Sequence, residues 1–288
     1  MDPLKSVDVG IRIFITISAL PNLSSCIAPT GLDVIISDSS FFKHHSSLPS
    51  LEEVRRQALS KPHPKKENVA IFENLNLLVK FGIKESIAEG QCLYTVRRAF
   101  GPSVPVPEVS MGRYERRRTT QRDSRASQDF SYTSGGETEF GKSVRHICHT
   151  PLQDIALPTG VLPNAGPFPS VKEFHDWFSF LYRRWLADPN AYPQDPYRRD
   201  LPDDARIVLT HGDLHRSNIM VTKSGPPRIL ALIDWHQAGW LPEYWEVCKA
   251  IYTVGTEDEW AQKYIPQFLQ RSEEIEVAWD FYVLATGN

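Results

Sequence analysis

The stretch from Leu209 to Trp240 constrains this chain more than any other. His211-Gly212-Asp213-Leu214-His215-Arg216-Ser217-Asn218 leads into two apolar runs, Ile219 to Thr222 and Ile229 to Ile233, ending in Asp234-Trp235. Ser224-Gly225-Pro226-Pro227 separates the runs, and turn residues between apolar segments predict an antiparallel hairpin. The turn lies midway between Asn218 and Asp234, so pairing across it returns both residues to one end. Asp213, five residues before Asn218, sits in the loop at that same end. Two carboxylates and a carboxamide therefore converge with only backbone as scaffold.

Such a set suits phosphoryl transfer. Magnesium takes hard oxygen ligands and keeps several waters, so one or two carboxylates and an amide oxygen suffice beside nucleotide phosphates. A further carboxylate, left off the metal, can orient an attacking hydroxyl and accept its proton. On this reading Asp213 is the base, and Asn218 and Asp234 hold the metal. His211 braces the loop through hydrogen bonds, while His215 packs the loop or touches substrate. A zinc- or manganese-dependent hydrolase using His211, Asp213, His215 and Asp234 is a competing reading, since imidazole and carboxylate suit those metals. It leaves Asn218 and the hairpin symmetry without a role.

The same residues, His211 to His215 with Asn218-Ile219 and then Ile233-Asp234-Trp235, resemble the aminoglycoside phosphotransferase and choline kinase superfamily, relatives of the protein kinases. Asp234 stands where protein kinases carry the Asp of Asp-Phe-Gly. Ala238-Gly239-Trp240-Leu241-Pro242-Glu243-Tyr244-Trp245-Glu246 resembles the fungal branch, and Pro167-Phe168-Pro169-Ser170 with Glu173-Phe174 is similar to the same group. Leu77-Leu78-Val79-Lys80 resembles the strand whose lysine contacts nucleotide phosphates. Ile87-Ala88-Glu89 resembles the start of the helix whose glutamate pairs with that lysine, with Glu85 as the alternative partner. By itself a strand lysine is ordinarily a solvated edge residue; the downstream motif is what singles out Lys80.

The resemblance implies an α+β, two-lobed protein-kinase-like fold, with a small, incomplete sheet-containing N-lobe and a mainly helical C-lobe. It implies transfer of the γ-phosphoryl group of ATP to a hydroxyl of a small molecule, with ATP and Mg2+ as cofactors. It covers about residues 40–110 and 151–285. Two features depart from it. No G-x-G-x-x-G loop precedes Lys80, and after Pro105-Val106-Pro107 a polar stretch replaces the expected apolar hinge strand and helices. The hinge strand of relatives gives backbone hydrogen bonds to adenine. Its disruption makes a catalytically inactive kinase-like binding module the alternative reading.

Composition sets the remaining bounds. The 288 residues are 41% hydrophobic and 23% charged, ordinary for a globular chain of one large domain or two lobes. We divide it into an extension at 1–39, an N-lobe at 40–110, a disordered insert at 111–150 and a helical C-lobe at 151–288. The insert holds Arg116, Arg117, Arg118, Arg122 and Arg125 but scarcely an aliphatic side chain, so it cannot offset its ordering entropy. Its arginines have no interleaved aromatic before Phe130, which favours a solvated run over a nucleic-acid arm, as does the net charge of −3. Cys26, Cys92, Cys148 and Cys248 form no C-x-x-C pair, consistent with reduced thiols and a cytoplasmic location. Val9 to Leu20 imitates a signal-peptide core, but Asp2, Asp8 and Arg12 spoil the pattern, and the run is too short to span a membrane. Secretion is thus the weaker alternative, and neither nucleic acid nor membrane is an expected partner.

Capping-box spacing at Ser50/Glu53 and Ser170/Glu173 predicts helix starts. Strands are expected over Val69 to Phe72 and Leu75 to Phe81, with a turn near Glu73-Asn74, and a helix over Ser86 to Phe100. Further helices are expected from Ser170 to about Ala187, then over Leu241 to Val254, Thr256 to Leu269 and Glu274 to Leu284. Glu243, Glu246, Glu257, Asp258 and Glu259 could face a cationic acceptor, although carboxylates at helix N-termini are the simpler reading.

Overall fold

The computed structural model describes residues 33–35, 39–60, 69–80, 87–113, 143–147, 151–157, 165–188 and 195–287. The readings made for Val9 to Leu20, Glu85, Cys26, Cys148 and the arginines of the insert fall outside these residues. In chain order the elements are β1 (Asp33–Ile35), α1 (Leu51–Ser60), β2 (Val69–Phe72), β3 (Leu77–Lys80), α2 (Ile87–Phe100), β4 (Met111–Arg113) and β5 (Arg145–His146). There follow α3 (Val171–Phe180), β6 (Ile207–Thr210), β7 (Ile219–Val221), β8 (Ile229–Leu232), β9 (Gly239–Pro242), α4 (Trp245–Val254) and α5 (Glu273–Ala285). The strands pair as β1-β4, β2-β3, β5-β9-β6 and β7-β8, so helices combine with several small sheets in an α+β arrangement. No helix among the described residues is long and apolar enough to cross a membrane.

Local chemistry explains most of these boundaries. Ahead of α1, Ser50 N donates to Glu53 Oε2 at 2.7 Å and Glu53 N to Ser50 Oγ at 3.3 Å, the reciprocal capping box. Ahead of α3, Glu173 N donates to Ser170 Oγ at 3.2 Å. The β2-β3 hairpin pairs Val69 with Lys80, and its turn runs through a short 3-10 segment, Glu73–Leu75, to Asn76 in the left-handed region. The turn therefore consumes Leu75, and β3 starts later than its apolar run suggests.

Aromatic packing fixes the helices on which the site depends. Trp245 of α4 meets Phe174 and Phe178 of α3 at centroid distances of 5.2 and 5.3 Å, and Trp279 of α5 at 5.4 Å. All four rings are fully buried. Edge-on ring pairs of this kind add to the area they bury, so α4 is held from two sides. A second cluster, with Cys92 and Val96 of α2, Val104, Val106, Trp235 and Ala238, seats α2 against the end of the β7-β8 hairpin. Leu232 N donates to Pro105 O at 2.7 Å, tying the Pro105-Val106-Pro107 segment to β8. Cys92 and Cys248 are buried, and neither is in a disulfide.

Three expectations change. The helix expected from Leu241 starts only at Trp245: Leu241 and Pro242 belong with Gly239 and Trp240 to β9, the middle strand of a three-stranded sheet, paired Thr210 to Gly239 and Arg145 to Trp240. Gly239 makes this possible, because a Cβ there would lie 2.8 Å from Arg145 O. Between 256 and 269 the chain makes a π-helical turn, Trp260–Tyr264, and a 3-10 turn, Ile265–Gln267, that includes Pro266, instead of one α-helix. After Phe180 the α3 helix tightens into a 3-10 segment, Leu181–Trp185, rather than running on as α-helix. At the edges of the polar insert, β4 pairs with β1 and β5 with β9; 114–142 and 148–150 lie outside the described residues.

Candidate active site

The hairpin closes as its turn chemistry requires. Ile219 pairs with Leu232, and Ile233 N donates to Asn218 O at 2.9 Å, which brings Asn218 beside the residue preceding Asp234. Asn218 Nδ2 donates both to Asp213 O at 2.9 Å and to Asp213 Oδ2 at 3.0 Å. That orientation commits the amide nitrogen to Asp213 and turns Oδ1, the metal-binding atom of a carboxamide, away from it. Asp234 adopts φ 72°, ψ 53°, left-handed backbone that is uncommon outside glycine and gathers at functional sites.

Lys80 bridges two carboxylates: Nζ lies 2.6 Å from Glu89 Oε1 and 3.4 Å from Asp234 Oδ1. Burial works against its charge, but the bonds and charges of Glu89 and Asp234 outweigh it and raise the Lys80 pKa. The structure thus joins Lys80, Glu89 and Asp234 in one cluster and Asp213 with Asn218 in another, with the Asn218–Ile233 backbone bond between them. His236 Nδ1 lies 3.1 Å from Asp234 Oδ1, and that contact, ahead of the opposing effect of burial, raises the His236 pKa.

His211 sits beneath this group. Asp213 N donates to His211 Nδ1 at 3.2 Å, so the ring proton is on Nε2, which donates to Ile233 O at 3.0 Å. Burial lowers its pKa to about 4, keeping the ring neutral, and the ring packs 4.6 Å from Trp235. With both nitrogens engaged, His211 has no lone pair for a metal, which removes a ligand from the hydrolase reading. His215 Nδ1 accepts from Ser217 N at 3.1 Å and caps the short turn Arg216–Asn218.

Glu246 lies in the first turn of α4, as the helix-end reading has it, but its partners lie outside the helix. From the first turn of α4 it accepts His211 N at 2.5 Å and Gly212 N at 3.1 Å, fixing the backbone on which Asp213 stands. Burial pushes its pKa up to about 7 against the pull of those amides. An acidic residue among the buried aromatic and aliphatic residues of the first turn of α4 was the available signal. Three of the other acidic residues have cations of their own: Glu243 pairs with Arg206, Asp258 with Arg216 at 3.0 Å, and Glu259 with Lys263 at 3.5 Å. Trp260 Nε1 also donates to Leu214 O at 3.4 Å, so the loop is gripped from the 258–260 side as well.

These buried groups set an acid sensitivity. His175, with Nε2 2.6 Å from Tyr244 Oη, is likewise lowered to about 4 by burial. The unfolded state protonates a histidine below its ordinary value of 6.5, whereas folded His175 and His211 wait until about 4. Each therefore removes about 1.4 kcal/mol per pH unit as pH falls through that window. Glu246 acts oppositely: folded, it holds a proton below about 7, and unfolded only below 4.5, so acid returns a similar amount. Between pH 6.5 and 4.5 the balance is a net loss of about 1.4 kcal/mol per unit. Urea midpoints across that range should fall accordingly, and His175→Gln should make them nearly flat; stability that rises on acidification would contradict this assignment.

Residues 183–282 match the family model described as the phosphotransferase enzyme family. The match runs from the end of α3's extension into α5 and takes in the loop from His211 to Asn218, the hairpin and α4. The match supports kinship of this segment with the aminoglycoside phosphotransferase and protein-kinase-like superfamily, whose general chemistry is phosphoryl transfer. Comparison with curated proteins and with solved structures gives no match.

Proposed function

We propose that the protein is an ATP- and Mg2+-dependent phosphotransferase of two-lobed protein-kinase-like architecture, related to the fungal-type branch and acting on a hydroxyl of a small molecule. The observation that carries this reading is the Lys80–Glu89–Asp234 cluster. Lys80 and Glu89 lie outside the matched segment 183–282, yet Lys80 reaches Asp234 across 154 positions of chain. An ammonium held between two carboxylates, one of them at the hairpin end, is the arrangement that phosphate binding beside a metal needs.

The donor set fits magnesium. Asn218 Oδ1 and the Asp234 carboxylate are hard oxygens at one end of the hairpin, and Nδ2 of Asn218 is already spent on Asp213. Bound there, Mg2+ would neutralise phosphate charge in the transition state. Lys80, kept protonated and aimed by Glu89, would hold phosphate oxygens. Asp213 keeps Oδ2 on Asn218, so its other oxygen can orient the acceptor hydroxyl and take its proton. In β2-β3 the register puts Ile71 opposite Leu78 and Val69 opposite Lys80, so these side chains share a face. Ile71 and Leu78 are 41% and 58% exposed, apolar surface beside Lys80 that suits the plane of a nucleotide base.

The test is a thermal-shift titration with ATP, with and without Mg2+, on wild type and Asp234→Ala. Ligand at 100 times its Kd stabilises the native state by about 2.7 kcal/mol, a rise of several degrees. A Mg2+-dependent rise in wild type, absent from the variant, is the expected result. A folded wild type with no rise would instead favour the inactive binding module.

A further inference from the structure

Helix α4 is buried on all sides over its first seven residues, Trp245 to Ile251, and two of these are charged. Glu246 and Lys249 stand three positions apart, hence on the same face. Glu246 holds the amides of His211 and Gly212, just before Asp213. Lys249 has a different task. Its Nζ donates to Asp154 Oδ1 at 2.7 Å and to Gln237 Oε1 at 3.0 Å. Gln237 is 1% exposed and lies three residues after Asp234; its Oε1 also accepts Ile155 N at 2.9 Å. The Gln237 backbone is in turn pressed against the catalytic loop: a Cβ on Gly212, where φ is +78°, would lie 2.8 Å from Gln237 O.

Resting on the phosphotransferase reading, we propose that Gln237 is a positioning residue that fixes the metal-binding turn against the loop of the base, with α4 as the common ruler. One helix then grips both halves of the site, the Asp213 loop through Glu246 and the Asp234 turn through Lys249 and Gln237. The geometry is over-determined at Gln237: a side-chain oxygen takes two donors while the backbone closes on Gly212. Loss of that oxygen leaves the buried Lys249 ammonium and Ile155 N–H without this acceptor and frees the turn that carries Asp234. Asp234 sits in strained left-handed backbone, which surrounding contacts must enforce.

The experiment compares ATP binding by calorimetry, with and without Mg2+, well below the melting temperature, in wild type, Gln237→Met and Gln237→Glu. Both partners of Oε1 are donors, so Gln237→Glu keeps an acceptor whereas Gln237→Met removes it at similar volume. Positioning predicts that Gln237→Met weakens Mg2+-ATP binding by about tenfold or more, the scale for lost support around a metal site. It also predicts that Mg2+-free ATP binding, which depends on Lys80, stays unchanged, and that Gln237→Glu stays within a few-fold of wild type. A purely structural role would lower the melting temperature of Gln237→Met and leave both affinities at wild-type values, which overturns the inference. If Gln237→Met does not fold, Gln237→Asn, whose shorter side chain cannot meet both donors, carries the same expectation. A wild type with no Mg2+-dependent ATP binding would overturn the phosphotransferase reading itself, and this inference with it.

Discussion

Asp213→Asn is expected to lower turnover by about 10²–10⁴-fold, the range for loss of a general base, with little change in Mg2+-ATP affinity. The separation of the two effects follows from how Asn218 is held. Its Nδ2 has two acceptors on Asp213, the side-chain Oδ2 at 3.0 Å and the backbone O at 2.9 Å. The substitution removes the proposed basic oxygen but leaves the backbone acceptor, so Oδ1 of Asn218 keeps its direction away from residue 213. His211 N and Gly212 N remain on Glu246, and Asp213 N remains on His211 Nδ1, because no bond from the loop backbone passes through the altered side chain. The measurement is acceptor-dependent ADP release under saturating Mg2+-ATP, using whichever amino alcohol, sugar or aminoglycoside a screen of hydroxyl compounds identifies. Turnover within a few-fold of wild type would remove Asp213 from the chemistry and leave it a structural partner of Asn218.

What could be read in advance depended on the range of the interaction. The hairpin was legible because Gly225-Pro226-Pro227 breaks the chain at the midpoint between two apolar runs, and that alone fixes Asn218 near Asp234. The capping boxes at Ser50 and Ser170 were legible for the same reason, each closed within a single turn. The Lys80–Glu89 pair was reached through family resemblance; periodicity alone gives a strand lysine no special role. By contrast, β9 was invisible. Gly239-Trp240-Leu241-Pro242 has no alternation, runs straight into an apolar helix, and pairs with strands supplied from far earlier in the chain. Glu246 was read as a helix-end charge because the two amides it accepts belong to a loop brought near only by the packing of α4. The same holds for Lys249, which a local reading would put at a solvated position and which is 0% exposed.

Lys249→Met should destabilise the protein by about 3–5 kcal/mol, the usual consequence of leaving one partner of a buried ion pair uncompensated. Lys249 and Asp154 are both 0% exposed, with Nζ and Oδ1 2.7 Å apart. Asp154 also accepts Trp245 Nε1 at 2.8 Å and Ala156 N at 2.8 Å, so the pair is fully hydrogen-bonded where it stands. Removing the ammonium leaves a carboxylate in that dry site with dipoles but no countercharge. Against a typical native-state stability of about 5–15 kcal/mol, the loss takes a large share. Trp245 Nε1 and Ala156 N donate to different oxygens of Asp154, so Asp154→Asn keeps an acceptor for one of them, but the double variant Lys249→Met with Asp154→Asn removes both charges and should lose clearly less than the two single variants added together. Contacting residues in one network commonly couple by about 0.5–3 kcal/mol, and this pair should fall near the upper end. Urea unfolding of the four proteins gives the coupling directly. A Lys249→Met midpoint within error of wild type would mean that the ammonium is solvated in solution. In that case Gln237 would lose the anchor through which α4 reaches the Asp234 turn, and the two halves of the site would have to be held together by Glu246 alone.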